Sequence, residues 1–174
     1  PAGPLRGGKY QIHEGGTRVP FIVRWPGRVK SGASPALLGQ VDLLATLAAL
    51  AGTTLPEGAG PDSMDVLPAL LGASKEGRTA LVEQANRLAL RSGGWKFIAP
   101  PGAAGGAGKA GEKGGGKKSE QKGEKRSDDL PGSAGELYDL ASDLAETKDI
   151  APSHPDRVKE MRDLLEKIRS KGTR

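Results

Sequence analysis

The chain has 174 residues and a formal charge of +5, but only 36% of it is hydrophobic and 3% aromatic, against 27 glycines and 13 prolines. That excludes one well-filled core and implies a thin core that packs against something larger, with tolerance of anionic partners and no more from the charge. The lack of cysteine excludes a disulfide framework or thiolate metal site, and no apolar run approaches the roughly eighteen residues that span a bilayer.

Residues 1–8 are Pro/Gly-rich and read as a loop. Gly3-x-x-x-x-Gly8-Lys9 falls one residue short of a phosphate-binding loop. Tyr10 takes the place of the required hydroxyl, no strand precedes it, and Gly15-Gly16 would break the following helix, so a nucleotide site is rejected. Lys9 and Glu14 lie in a charged loop, and Gly15-Gly16 permits a tight turn or a close backbone approach. Phe21–Trp25 is apolar apart from Arg24 and bounded by Pro20 and Pro26, which predicts a short strand covered on both faces.

Val41, Leu44, Leu47, Ala48 and Ala51 recur at helical spacing, predicting a helix within Leu37–Gly52 that covers the sheet containing Phe21–Trp25. Gly52 sits where a helix stops. A second, short helix is expected over Asp65–Gly72, with Asp65 as its cap. Asp62 and Asp65 read as solvated or capping groups, because two carboxylates without further oxygen ligands make no metal site. Leu88, Leu90, Trp95 and Phe97 alternate around Ser92-Gly93-Gly94, which predicts a hairpin.

Residues 102–135 are a Gly/Lys-rich stretch too poor in apolar residues to offset chain entropy, and read as a disordered insertion. Its acidic residues are interleaved with the basic ones and it holds no aromatic residue, which argues against nucleic-acid binding. Leu137, Tyr138 and Leu140 read as a last strand. Ser153-x-x-Asp156 around Pro155 is a capping-box signature, and Gly172 marks the end of the helix it opens. Val158, Met161, Leu164, Leu165 and Ile168 form one apolar stripe, expected to pack on the small sheet. That stripe lacks Trp and Phe, so no membrane role is assigned to it.

Four motifs in order carry a family resemblance. Gly8-Lys9, Glu14-Gly15-Gly16, Arg18-Val19-Pro20 and Trp25-Pro26-Gly27 form the first. Asp42-Leu43 through Leu50-Ala51-Gly52 forms the second, and Leu90-Arg91 with Trp95-Lys96 the third. Glu136 to Leu140 with Asp143 and Glu146 is the last. Together they resemble the sulfatase family of the alkaline-phosphatase-like superfamily, in its C-terminal portion. Against the family pattern, Ala45 stands where Pro is usual and Ser63 where Gly is usual. His13 stands at a position often aromatic, so packing is expected of it, while His154 is expected to be exposed at a helix start.

The resemblance implies an α/β fold: residues 1–72 as the C-terminal part of an alkaline-phosphatase-like α/β sandwich, and residues 73–101 with 136–174 as a small α+β subdomain of antiparallel sheet plus helix. It implies hydrolysis of sulfate esters by a formylglycine nucleophile with a calcium ion. Neither the C/S-x-P-x-R motif nor the acidic calcium ligands occur here, so the chain alone is expected to be inactive. Lys9 matches the sulfate-binding lysine, while Glu14 and Arg18 are expected to position the loop, as a pair. The implied partners are a sulfated small molecule or polysaccharide and the rest of the catalytic domain, in a periplasmic or secreted location. A phosphate or phosphonate ester hydrolase of the same superfamily and a non-catalytic polyanion-binding module are the alternatives.

Overall fold

The computed structural model describes residues 3–102 and 134–171. The expected insertion lies almost entirely outside them, as does Gly172. Four strands form one antiparallel sheet in the order β1 (Ala80–Gln84), β2 (Leu88–Ser92), β3 (Trp95–Ile98) and β4 (Glu136–Asp139). The predicted hairpin is the β2–β3 pair, with Ser92 opposite Trp95 across Gly93-Gly94. The predicted last strand is β4, which pairs with β3.

Register sorts the side chains onto two faces, because successive residues of a strand point to opposite sides. Val82, Leu90, Phe97 and Leu137 stand in one row across the sheet. Helix α4 (Pro155–Ser170) packs on that face through Val158, Met161 and Leu165, with Leu164 and Ile168 at the rim. The stripe read from the sequence is therefore the helix face of the core, where each enclosed side chain contributes about 1.5–3 kcal/mol. The expected capping box does not form. Ser153 belongs to a preceding 3-10 turn and donates to the Ile150 carbonyl, leaving exposed His154 as the N-cap, with no side-chain bond to the amides of the helix's first turn.

The opposite row runs Leu81, Arg91, Lys96 and Tyr138. Residues 6–18 lie across this face, where Ile12 packs with Ala89, Ile98, Tyr138 and Leu140. These residues include a single helical turn, α1 (Glu14–Thr17). The sheet is thus covered on both sides, by an amphipathic helix on one and by an irregular, charged segment on the other.

Phe21–Trp25 forms no strand. A strand covered on both faces needs neighbours on both edges, and no described residues pair with it; Ile22 is 89% exposed. The helix expected to cover it is also shorter than predicted. A 3-10 turn at Gln40–Asp42 leads into α2 (Leu43–Leu50), which ends in a Gly52 stop with Thr53 donating to the Ala48 carbonyl at 3.0 Å. Its apolar stripe of Val41, Leu44 and Leu47 points outward, and the side chains it buries are Asp42 and Thr46.

Polar contacts hold α2 in place. Asp42 accepts from the amides of Gly39 and Met64 and from the Arg78 guanidinium, whose other nitrogen reaches the Asp62 carbonyl. Burial pushes the Asp42 carboxyl up, but these bonds outweigh it and hold the group below its ordinary value. Thr46 accepts from the Val66 amide at 3.0 Å. Ser63 Oγ accepts from the Ala45 amide at 2.9 Å, satisfying a first-turn donor that the helix itself leaves open. The two departures from the family pattern thus meet in one hydrogen bond, which proline at position 45 could not make. Asp65 accepts from the Leu67 amide at 2.8 Å just before α3 (Leu67–Leu70), but the N-cap position falls to Val66, which makes no side-chain cap bond, so Asp65 is not the cap expected of it.

Candidate functional site

Lys9 sits at the crown of a turn closed by the Gln11 amide donating to the Gly8 carbonyl at 2.9 Å. Its neighbour Tyr10 has φ 72, a conformation costly for a residue with a Cβ. The Tyr10 ring is exposed, and the Lys9 ammonium lies 4.9 Å from its centroid. Among the described residues that ammonium meets no carboxylate.

Gly15 and Gly16 hold this turn by close approach. A Cβ on Gly15 would lie 2.5 Å from the Gly7 carbonyl oxygen, and one on Gly16 would lie 2.4 Å from that of Gly8. Any side chain at either position would displace the backbone that carries Lys9. The Gly15 amide also donates to the Arg6 carbonyl at 2.8 Å.

Beneath the turn, Glu14 is fully buried. Its Oε1 accepts from Lys96 Nζ at 3.0 Å, and Arg18 and Arg91 each stand 3.6 Å from its Oε2. The Lys96 ammonium, itself fully buried, also lies 3.0 Å from Glu83, 3.5 Å from Glu146 and 3.4 Å from the Thr17 hydroxyl. Glu146 Oε2 accepts from the Glu14 amide at 2.6 Å. Burial raises the pKa of Glu146, Lys96 opposes that rise, and the nearby Glu14 adds to it.

A second polar group pins the other end of the segment. Glu136 pairs with Arg87, accepts from the Tyr138 hydroxyl at 2.7 Å and stands 3.7 Å from His13 Nε2. Burial pushes its carboxyl up, but His13, Tyr138 and Arg87 more than offset that and bring it to about 2. Arg6 donates to Tyr138 at 2.9 Å and to the Glu146 carbonyl at 3.0 Å, linking the two groups. His13 packs edge-on against the Tyr138 ring at 6.2 Å, the packing role expected of it.

A family model described as Sulfatase matches residues 1–53, which include the Lys9 turn, the two glycines and α2. Over 98% of its length the chain is 40% identical to an N-acetylgalactosamine-6-O-sulfatase of Bacteroides thetaiotaomicron. The chain belongs to the sulfatase family. It spans 31% of that relative, a coverage that fits the C-terminal portion expected from the order of its motifs. Human arylsulfatase A is 45% identical over 80 residues, 46% of this chain and 16% of the relative. A solved structure described under the metabolism of multiple glycosaminoglycans by Bacteroides thetaiotaomicron superposes with a TM-score of 0.78 at 40% identity. The superposition covers 97% of this chain and 32% of that one.

The carboxylates gathered here do not fit the calcium that the sulfatase family implies. Glu14, Glu83 and Glu146 converge on the Lys96 ammonium, so their charge is already met by a cation of the chain itself. Among the described residues no group of three or more acidic, His or Cys side chains could hold a metal. Of the predicted residues, the structure brings Glu14 and Arg18 together and leaves Lys9 on the turn above them. Sequence reasoning did not find Lys96 and Glu146 as partners of Glu14, or Glu83 as a further partner of Lys96. The available signal was Lys96 itself, a charge set between Trp95 and Phe97 in a predicted strand.

Proposed function

We propose that this chain is the C-terminal portion of a sulfatase that, when complete, hydrolyses sulfate esters, and that Lys9 binds a sulfate oxygen. The observation carrying the proposal is the geometry of the Lys9 turn: an exposed ammonium without a carboxylate partner among the described residues, seated on two glycines that admit no side chain. A cation held in this way suits the negative charge that develops on sulfuryl oxygens as the ester bond breaks. The relative of Bacteroides thetaiotaomicron supports a sulfated amino-sugar saccharide as the substrate class, and the family resemblance supports a periplasmic or secreted location.

The chain alone is inactive in this reading, since the nucleophile and the calcium ligands lie outside it. The outward apolar side chains of Phe21, Ile22, Val41, Leu44 and Leu47 fit a surface that the remainder of the catalytic domain covers. Turnover of an aryl sulfate by the purified chain would contradict this. In the complete enzyme, Lys9→Ala lowers turnover by about two to three powers of ten, and Lys9→Arg restores it only in part. Wild-type turnover by a folded Lys9→Ala variant would remove Lys9 from the site.

A further inference from the structure

We infer that Lys96 is a positioning residue for Lys9, its buried ammonium tying the Lys9 turn to the C-terminal sheet; this rests on the sulfate-binding role proposed for Lys9. Three segments far apart in sequence supply acidic groups to that one ammonium: Glu83 from β1, Glu14 from the irregular segment, and Glu146 from the loop after β4. Two of its contacts, Glu14 at 3.0 Å and Thr17 at 3.4 Å, fall on the first and last residues of α1. Gly15 and Gly16 lie between them, against the carbonyls of Gly7 and Gly8, the two residues that precede Lys9. The path from Lys96 to Lys9 is therefore a short run of direct contacts.

Two physical considerations favour a positioning role over simple cohesion. A buried ion cluster contributes little net stability compared with well-packed apolar residues, so packing alone does not account for a fully buried lysine on a strand. A non-glycine residue at φ 72 persists only where its surroundings over-determine it, and Tyr10 directly follows Lys9. The Lys96 cluster and the Glu136 group fix the segment at two separated points, which supplies that constraint.

The test uses the complete sulfatase that carries this chain, with kcat and KM measured on an aryl sulfate. Lys96→Met is expected to lower kcat by about 10²-fold, as small misplacements do, with KM changed far less. Lys96→Arg, which keeps the charge, is expected to restore turnover to within about tenfold of wild type. In a Lys9→Ala background, Lys96→Met is expected to cause no further loss, because both act through one contact. Equal losses with and without Lys9, for either Lys96 variant, would overturn the inference and leave Lys96 a structural residue.

A second measurement does not depend on turnover. In the 174-residue chain, Lys96→Met is expected to speed hydrogen exchange at the Gly15 and Gly16 amides at least tenfold more than at Leu90 and Phe97, and Lys96→Arg, which keeps the charge, to speed it far less. Unchanged Gly15 and Gly16 exchange in Lys96→Met would overturn the inference whatever becomes of Lys9. Wild-type turnover in Lys9→Ala, with that local exchange still accelerated, would instead overturn the sulfate-binding role.

Discussion

The sheet with α4 and the stretch from Arg18 to Gly72 use similar apolar residues to opposite ends. In the sheet unit Leu88, Leu90, Phe97, Leu137, Met161 and Leu165 enclose one another. In the other stretch Phe21, Ile22, Leu44 and Leu47 face outward, and Asp42, Thr46 and Ser63 hold α2 through hydrogen bonds. Each such bond contributes roughly 1 kcal/mol net, while an enclosed aromatic contributes several times that. Apolar content therefore does not say where a core closes; register against a partner does.

The sharpest way to break this contrast is truncation. Phe97→Ala is expected to cost about 3–5 kcal/mol, measured by urea unfolding of the chain, and Ile22→Ala to change stability by less than about 0.5 kcal/mol. Similar costs at the two positions would collapse the distinction.

Acid sharpens it, because polar links titrate and an apolar core does not. Glu136 has a folded pKa of about 2 against an ordinary 4.5, so its contribution is complete above about pH 4.5 and is lost as pH falls toward 2. The amount is on the order of 3 kcal/mol. Glu136→Gln should flatten that decline in a series of urea midpoints, and an unchanged acid dependence would refute its source. Glu146, whose pKa is raised, acts with the opposite sign: its contribution is lost as pH rises above the ordinary value of 4.5.

The smallest effect lies in α2. Ser63→Ala is expected to cost about 1 kcal/mol through the lost cap. Combined with Ala45→Pro, which removes the donor, the two changes should cost less than their sum. Strict additivity, seen by urea unfolding of the double variant, would mean that the Ala45–Ser63 bond carries no energy.

Elements closed by local pattern were legible in the sequence. The β2–β3 hairpin and the α4 stripe need only alternation, a Gly-Gly turn and helical spacing. Phe21–Trp25 was not legible, because an apolar run fixes a preference for burial while the strand depends on neighbours that these residues do not supply. The motif residues of the site were legible as a resemblance, and Gly15-Gly16 as a close approach. The charged face of the sheet was not. Alternation assigns Arg91, Lys96 and Glu83 to a solvent side, and only the tertiary placement of residues 6–18 encloses them.

Ile98 and Glu136 stand opposite one another in the ladder, so the chain leaves the sheet and returns to it at a single place. Whatever lies between them is closed at its base by paired strands and by the Leu137 core. Extra length there costs only about 0.6 kcal/mol per doubling. This makes the β3–β4 connection the natural port of the molecule, where a fluorescent reporter, an affinity handle or a new pair of termini can be introduced while the strands keep their register.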